Sequence, residues 1–310
     1  MNYVLHRLSR SGKRIALTSI GIDGEQSDSV TRTSKPEVTV YAGMIFVTSE
    51  QHYLQRKIVS EILDVSDERT ALGRLITAQA VMDGQVILSG PADTAGIKRL
   101  IAAMEQLDVD TTLVDGALSR LSLASPAVTE AMILATGAAV STNIRQLVHK
   151  TRFAQRLINL EAVEPALAMR LQDIDKGVWA IDKKGGIHDL DIPSAFLLDK
   201  NEKDLFRFGT RIYVAGAVSS KLLDFFRMQP QKAELIIRDF SALFTTSDHF
   251  DAFLHRGNRI KCLFRTQLLA ITVNPTAPNG FRFHPESLKR EMEQALGIGV
   301  YDIVQLKKIS

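Results

Sequence analysis

Short apolar runs alternate with amphipathic stretches along the first half of the chain. Runs of apolar and β-branched residues predict strands at 14–20, 38–41, 44–47, 75–81, 85–88 and 111–114. Apolar residues at helical spacing predict helices over 1–10, 51–63 and 97–107. Strands that alternate with helices in this way are typical of an α/β fold, in which helices cover both faces of a mainly parallel sheet.

The pattern changes near Ser141, and it predicts three units. Ala42-Gly43 separates the strands at 38–41 and 44–47, which favours a hairpin with a positive φ at the glycine. A helical stretch without glycine covers 143–169. Strands and helices then resume at 177–181, 211–215, 219–228, 234–237, 248–256 and 267–273, with a last helix from about 285. We predict a first α/β domain over 1–145, a helical bridge over 146–175 and a second, smaller α/β domain over 176–310.

The order of the first elements is typical of the segment that follows a Walker A loop in P-loop nucleotide-binding proteins. The helix over 1–10 leads through Ser11-Gly12-Lys13 into the strand 14–20 and then into Gly21-Ile-Asp-Gly-Glu25. In that arrangement a G-x-x-x-x-G-K-[ST] loop begins the helix, and its backbone N–H groups bind phosphates. The loop and the strand before it are not in this sequence. We expect that the domain is N-terminally incomplete, with a reading frame that continues upstream, or that this copy has lost its phosphate loop.

The strongest local signal for chemistry is Asp115, which ends the apolar run Thr111-Thr-Leu-Val114. A buried strand that ends in an acid is typical of the Walker B motif, whose carboxylate holds Mg²⁺ directly or through water. In open parallel sheets, ligands bind at this carboxyl edge. An aspartate that simply begins a turn would give the same pattern.

A second acidic signal follows the strand 14–20. Asp23 and Glu25 could position a Mg²⁺-bound water or a substrate amine, and Gly24 lets the backbone pass close to a ligand. Arg120 could bind a phosphate or a partner carboxylate by paired hydrogen bonds. Ser89-Gly90-Pro91 is a turn at a strand end with a possible ligand contact. A solvated acidic loop and a surface arginine are the alternatives for these residues.

Composition narrows the function classes. The net charge of +3 is small and the basic residues are scattered, which disfavours a nucleic-acid-binding protein. The single cysteine, Cys262, excludes an internal disulfide and a cysteine metal cluster, and it fits a reducing compartment. The longest apolar run, 131–140, is too short to cross a bilayer. The acid-free first 22 residues also suit a transit peptide, but we favour the helix and strand and expect a cytoplasmic protein.

Three segments together resemble a known family. Leu17–Glu25, Val114–Pro126 and Ile133–Ala138 are similar to the reactivase subunits associated with lysine 5,6-aminomutase, an adenosylcobalamin- and pyridoxal-phosphate-dependent enzyme. The resemblance covers the first half and fades after residue 150. In that family a Walker A sequence precedes the helix matched by Asn2–Arg10, and this sequence lacks it.

The resemblance implies an ATP-linked helper that restores an aminomutase of amino-acid fermentation after its cofactor is damaged. The implied partners are the aminomutase and a second, ATPase-bearing reactivase subunit, and the implied cofactors are ATP and Mg²⁺. Two other functions stay open. One is a carboxylate-activating enzyme of the dethiobiotin-synthetase type that uses ATP and Mg²⁺, and the other is a scaffold that binds no nucleotide.

Overall fold

The computed structural model describes residues 1–20, 37–91, 93–116, 129–200 and 205–309, and it confirms the predicted α/β class. The described helices are α1 (Asn2–Leu8), α2 (Glu50–Leu54), α3 (Thr94–Gln106), α4 (Ile144–Ile158), α5 (Pro165–Leu171), α6 (Ser220–Met228), α7 (Ser247–His255), α8 (Pro285–Leu296) and α9 (Ile303–Ile309). The first strands are β1 (Ile15–Ser19), β2 (Val38–Val40), β3 (Ile45–Ser49), β4 (Ser60–Thr70), β5 (Gly73–Ala80), β6 (Gly84–Val86), β7 (Thr111–Asp115), β8 (Ala131–Gly137) and β9 (Glu161–Ala162). They are followed by β10 (Val178–Ile181), β11 (Ile187–Ile192), β12 (Arg211–Val214), β13 (Val218–Ser219), β14 (Glu234–Ile237), β15 (Leu243–Phe244), β16 (Arg259–Cys262), β17 (Gln267–Asn274) and β18 (Val300–Asp302).

The first sheet has the strand order β4-β5-β3-β1-β7. Strands β3, β1 and β7 are parallel, whereas β5 and β4 are added antiparallel at one side. Side chains alternate between the two faces of β1, because successive residues of a strand point in opposite directions. Leu17 packs with Leu5 of α1 on one face, and Ala16 packs with Met104 of α3 on the other. Helices therefore cover both faces of this sheet.

Two local predictions in this region are wrong. The strands around Gly43 do not form a hairpin, because β2 pairs antiparallel with β6 while β3 lies between β1 and β5. Gly43 itself has the expected positive φ of 83°. The helix predicted over 51–63 ends at Leu54, and the chain enters the long edge strand β4 at Ser60.

The second sheet has the order β11-β10-β12-β14-β16-β9, with β12, β14, β16 and β9 parallel. On one face, Val214 belongs to the largest apolar cluster, to which α4, α6, α7 and α8 also contribute. On the other face, Tyr213 packs with Leu167 of α5. The helical stretch predicted over 143–169 is divided into α4 and α5 by the short strand β9.

A third, fully parallel sheet has the order β18-β17-β8. Its inner face carries Leu134, Ile271 and Val300, which pack into the same apolar cluster as the second sheet. The ladder between β8 and β17 therefore joins a strand before residue 145 to strands near the end of the chain. The division into units at 145 and 175 stays a prediction.

Candidate functional site

The carboxyl ends of β1, β3 and β7 meet at one edge of the first sheet. Ser19 ends β1 and lies opposite Asp115, which ends β7. The next backbone contact continues this pairing, because the N–H of Ile20 donates to the carbonyl oxygen of Asp115 at 2.8 Å. Ser49 ends β3 and caps the start of α2. Among the described strand-end residues, the edge at which parallel sheets bind ligands thus carries the Asp115 carboxylate and two serines.

Asp115 is a half-buried acid in an unusual environment. Burial raises the pKa of its carboxyl group above the ordinary value, and the α-amino group of Met1 opposes this shift. Among the residues that the structure describes, no side chain forms a salt bridge or a hydrogen bond with the carboxylate. Perturbed acids of this kind are enriched at functional sites, because folding alone disfavours a desolvated charge without a partner.

A buried polar cluster supports the same edge from the side of β3. The Nδ1 atom of His52 lies 2.6 Å from the Ser89 hydroxyl oxygen, which in turn lies 3.5 Å from the hydroxyl of Ser49. The Thr18 hydroxyl donates to the Ser89 carbonyl oxygen at 3.4 Å. These contacts connect β1, β3 and α2. Because Ser89 is fully buried, a ligand has no access to its hydroxyl group.

Gly90 brings this cluster against β1. A Cβ atom at Gly90 would lie 1.8 Å from the carbonyl oxygen of Ser19. The segment Ser89-Gly90-Pro91 therefore packs its backbone against the end of β1, and its described contacts are with other residues of the protein.

The structure describes one of the predicted site residues. Asp23, Gly24 and Glu25 lie within residues 21–36, and Arg120 lies within 117–128, so all four fall outside the described residues. Asp115 lies opposite Ser19 at the ends of two parallel strands, and its role as a ligand stays a prediction. His52 and Ser49 were not predicted, because the only local signal at these positions is that of a helix cap.

No protein-family model, curated protein or solved structure matches the chain. The resemblance to the reactivase subunits therefore stays a prediction. No helix in the described part of the chain is both long and apolar enough to cross a lipid bilayer.

The donor set at the edge limits which metal chemistry fits. Within the described residues, no group of three or more histidine, cysteine, aspartate or glutamate side chains could hold a metal ion. A single carboxylate still fits Mg²⁺, since this ion keeps several waters and is often bound by one or two carboxylates together with substrate phosphates. Asp115 is the described residue that would provide such a ligand.

Proposed function

We propose that this chain is an ATP-linked accessory protein of an adenosylcobalamin-dependent aminomutase, and that the edge around Asp115 is its Mg²⁺-nucleotide site. The observation that carries the nucleotide site is the position of Asp115, half-buried at the end of a parallel strand beside β1 and without an ion pair among the described residues. The aminomutase partner rests on the resemblance of Leu17–Glu25, Val114–Pro126 and Ile133–Ala138. The protein would act in the cytoplasm.

Each residue of the site has a distinct role in this proposal. Asp115 supplies the negative charge that attracts the cation, and Asp23 or Glu25 orients a water in its outer shell. Arg120 binds a phosphate oxygen through its planar guanidinium group. When bound, Mg²⁺ neutralises charge on the β- and γ-phosphates. The buried contacts of Ser89 and Gly90 hold the carboxyl end of β1 in place and thereby fix the position of Asp115 opposite Ser19.

The experiment is a calorimetric titration of Mg-ATP into the parent chain and into Asp115→Asn. Asparagine keeps the shape of the side chain but removes the charge, so we expect the Kd to rise about ten-fold or more, which corresponds to roughly 1.4 kcal/mol. The matched control is Asp110→Asn. Asp110 precedes β7 and accepts a hydrogen bond from the Arg14 backbone at the opposite end of the strand. This control changes the net charge equally and should leave the Kd unchanged.

Stability provides a second readout for the same variants. Because burial raises the pKa of Asp115, the folded state holds its proton more tightly, and the charged carboxylate lowers stability above that pKa. Asp115→Asn should therefore melt at the same temperature as the metal-free parent or slightly above it. Equal Mg-ATP affinities in all three chains would remove Asp115 from the site.

The same preparations distinguish the proposed role from a biosynthetic one. An accessory protein should co-purify with an adenosylcobalamin-dependent aminomutase and should restore its activity after inactivation, in an ATP-dependent reaction. ATP-dependent turnover of a small carboxylic acid by the isolated chain would instead identify a carboxylate-activating enzyme. Binding to the aminomutase without any effect of ATP would identify a scaffold.

A further inference from the structure

A cleft of about 900 Å³ opens at one end of the second sheet. It lies between α4, α7, the end of α8 and the first residues of β16, and the edge strand β9 borders it. None of the described residues that line it belongs to the first sheet or to the Asp115 edge. Its volume is within the range of small-molecule sites, which is about 300–1,000 Å³.

Positive charge dominates the lining of this cleft. Arg152 and Arg156 come from α4, and Arg259 and Lys261 come from β16. Glu161, at the mouth, is the acidic side chain among the described lining residues, and most of its side chain is exposed. A chain whose total net charge is only +3 thus collects four cations around one cavity.

Internal ion pairs neutralise these cations only in part. Arg156 is paired with Asp251 at 2.5 Å. The Nζ atom of Lys261 lies 3.9 Å from Glu234 and 4.0 Å from Glu161, at the outer limit of an ion pair. Within the described part of the chain, Arg152 and Arg259 have no side-chain partner. Like charges four residues apart on a helix repel each other, and Asp251 neutralises only Arg156 of this pair, so an anion beside Arg152 would stabilise α4.

The apolar side chains of the lining are already covered by the protein core. Phe250, Ile260 and Leu296 are each less than one-tenth exposed, and they belong to the apolar cluster beneath the second sheet. An apolar ligand or the apolar face of a peptide helix would therefore bury little additional surface here. The cleft can bind a ligand mainly through its charged and hydrogen-bonding groups, and these favour a small, hydrophilic ligand.

We propose that this cleft binds a small, hydrophilic anion with several negative groups, either phosphates or carboxylates. Guanidinium groups suit both classes, because their planar N–H donors match two oxygens of a phosphate or a carboxylate at once. Arg152 and Arg259 are the principal ligands, since neither is engaged elsewhere among the described residues. Lys261 and Arg156 add charge at longer range. The site is additional to the nucleotide site proposed at Asp115.

The test is a calorimetric titration of the full chain in metal-free buffer at low ionic strength, with inorganic pyrophosphate and with citrate as separate probes. The cleft variant carries Arg152→Glu and Arg259→Glu. The control variant carries Arg145→Glu on α4 and Arg290→Glu on α8, which change the net charge equally at exposed positions outside the cleft. We expect binding of at least one probe to weaken roughly ten- to hundred-fold in the cleft variant and to change less than about two-fold in the control. The probe that binds more tightly identifies the class of anion.

A second cleft variant tests whether any loss of binding in the glutamate variant results from misfolding. Arg152→Gln and Arg259→Gln keep most of the side-chain length and should weaken the same probe, although less than the glutamates do. Melting curves that match the parent would show that folding is intact.

Three results would overturn the proposal. One is equal weakening in the cleft and control variants, which would indicate an effect of overall charge. Another is the absence of binding of either probe to the parent at millimolar concentration. The third is pyrophosphate binding that is lost in Asp115→Asn but kept in the cleft variant, which would place the anion at the first sheet. Failure of the nucleotide site alone would leave pyrophosphate or citrate binding in the cleft unchanged.

Discussion

At the residue scale, Gly90 is the position at which the chain passes closest to β1. A Cβ atom there would meet the carbonyl oxygen of Ser19 at 1.8 Å and the hydroxyl oxygen of Thr18 at 2.6 Å. Neither atom is the end of a flexible side chain that could move aside, because both lie on or next to the backbone of a central strand. Any larger residue at position 90 must therefore separate the Ser89 loop from the strand that neighbours Asp115.

We expect Gly90→Ala to lower the free energy of unfolding by about 1–3 kcal/mol or more, the range typical of overpacking. Urea unfolding would measure the change. Gly216→Ala is the matched control, because a Cβ atom at Gly216 would meet nothing within 4 Å and its effect should stay within about 1 kcal/mol. Equal stability of the two variants would contradict the close contact at Gly90.

At the element scale, the boundaries that the sequence predicts well are those with a local physical cause. Strand β7, predicted over 111–114, spans Thr111–Asp115 and is bounded by Asp110 and Gly116. The helix predicted over 97–107 begins earlier, at Thr94, where the Asp93 carboxylate accepts a hydrogen bond from the Gly96 N–H at 2.7 Å. The start of β4 is not predicted, because Ile58 before the strand and Ile62 and Leu63 within it also fit helical spacing. Pairing partners could not be predicted, since β2 pairs with β6 across the segment that contains β3, β4 and β5.

One acid, Asp182, stabilises the turn of the hairpin formed by β10 and β11. Asp182 accepts hydrogen bonds from the backbone N–H groups of Lys184 and Gly186, each at 2.8 Å. Its other oxygen lies 2.7 Å from Nε2 of His188, whose ring stacks on Phe208 at 4.1 Å. The bond to His188, followed by the Gly186 N–H, lowers the pKa of Asp182 from 3.8 to about 2.

This shift predicts a pH-dependent contribution of Asp182 to stability. Because the folded-state pKa lies below the unfolded value, the stabilisation is fully present above about pH 4 and is lost as the pH falls towards 2. The difference in unfolding free energy between the parent and Asp182→Asn should therefore shrink as the pH falls below about 4. In a His188→Gln background this pH dependence should weaken. An identical dependence in both backgrounds would exclude His188 as the main cause.

At the scale of the whole molecule, contacts distant in sequence account for most of what the sequence did not predict. Asp115 could be predicted from a strand and its terminal acid alone. The buried group of His52, Ser49 and Ser89 could not, because it forms where β3 meets the segment after β6. The cationic cleft could not be predicted either, since α4 and β16 contribute its arginines from positions more than a hundred residues apart.

The pairing of β8 with β17 leads to a prediction about which part of the molecule Leu134 stabilises. Leu134 is 5% exposed and packs in the apolar cluster of the second and third sheets, whereas its neighbour Ile133 is 43% exposed. Leu134→Ala should cost about 2–5 kcal/mol and should speed amide hydrogen exchange in β17 and α4 while leaving β1 and β3 protected. Ile133→Ala is the control and should change exchange little. Faster exchange confined to β1 and β3 would show that β8 stabilises the first sheet instead.

The same pairing also has a consequence for how the chain is made. Strand β8 is complete at Gly137, but its parallel partner β17 is complete only at Asn274. At a synthesis rate of about 5–20 residues per second, the ribosome needs roughly seven to twenty-seven seconds to supply the partner. During this interval Leu134 has no native strand beside it, and an apolar strand that waits uncovered is prone to aggregate. Between the emergence of β8 and that of β17, the growing chain thus exposes an apolar side chain that the folded protein buries.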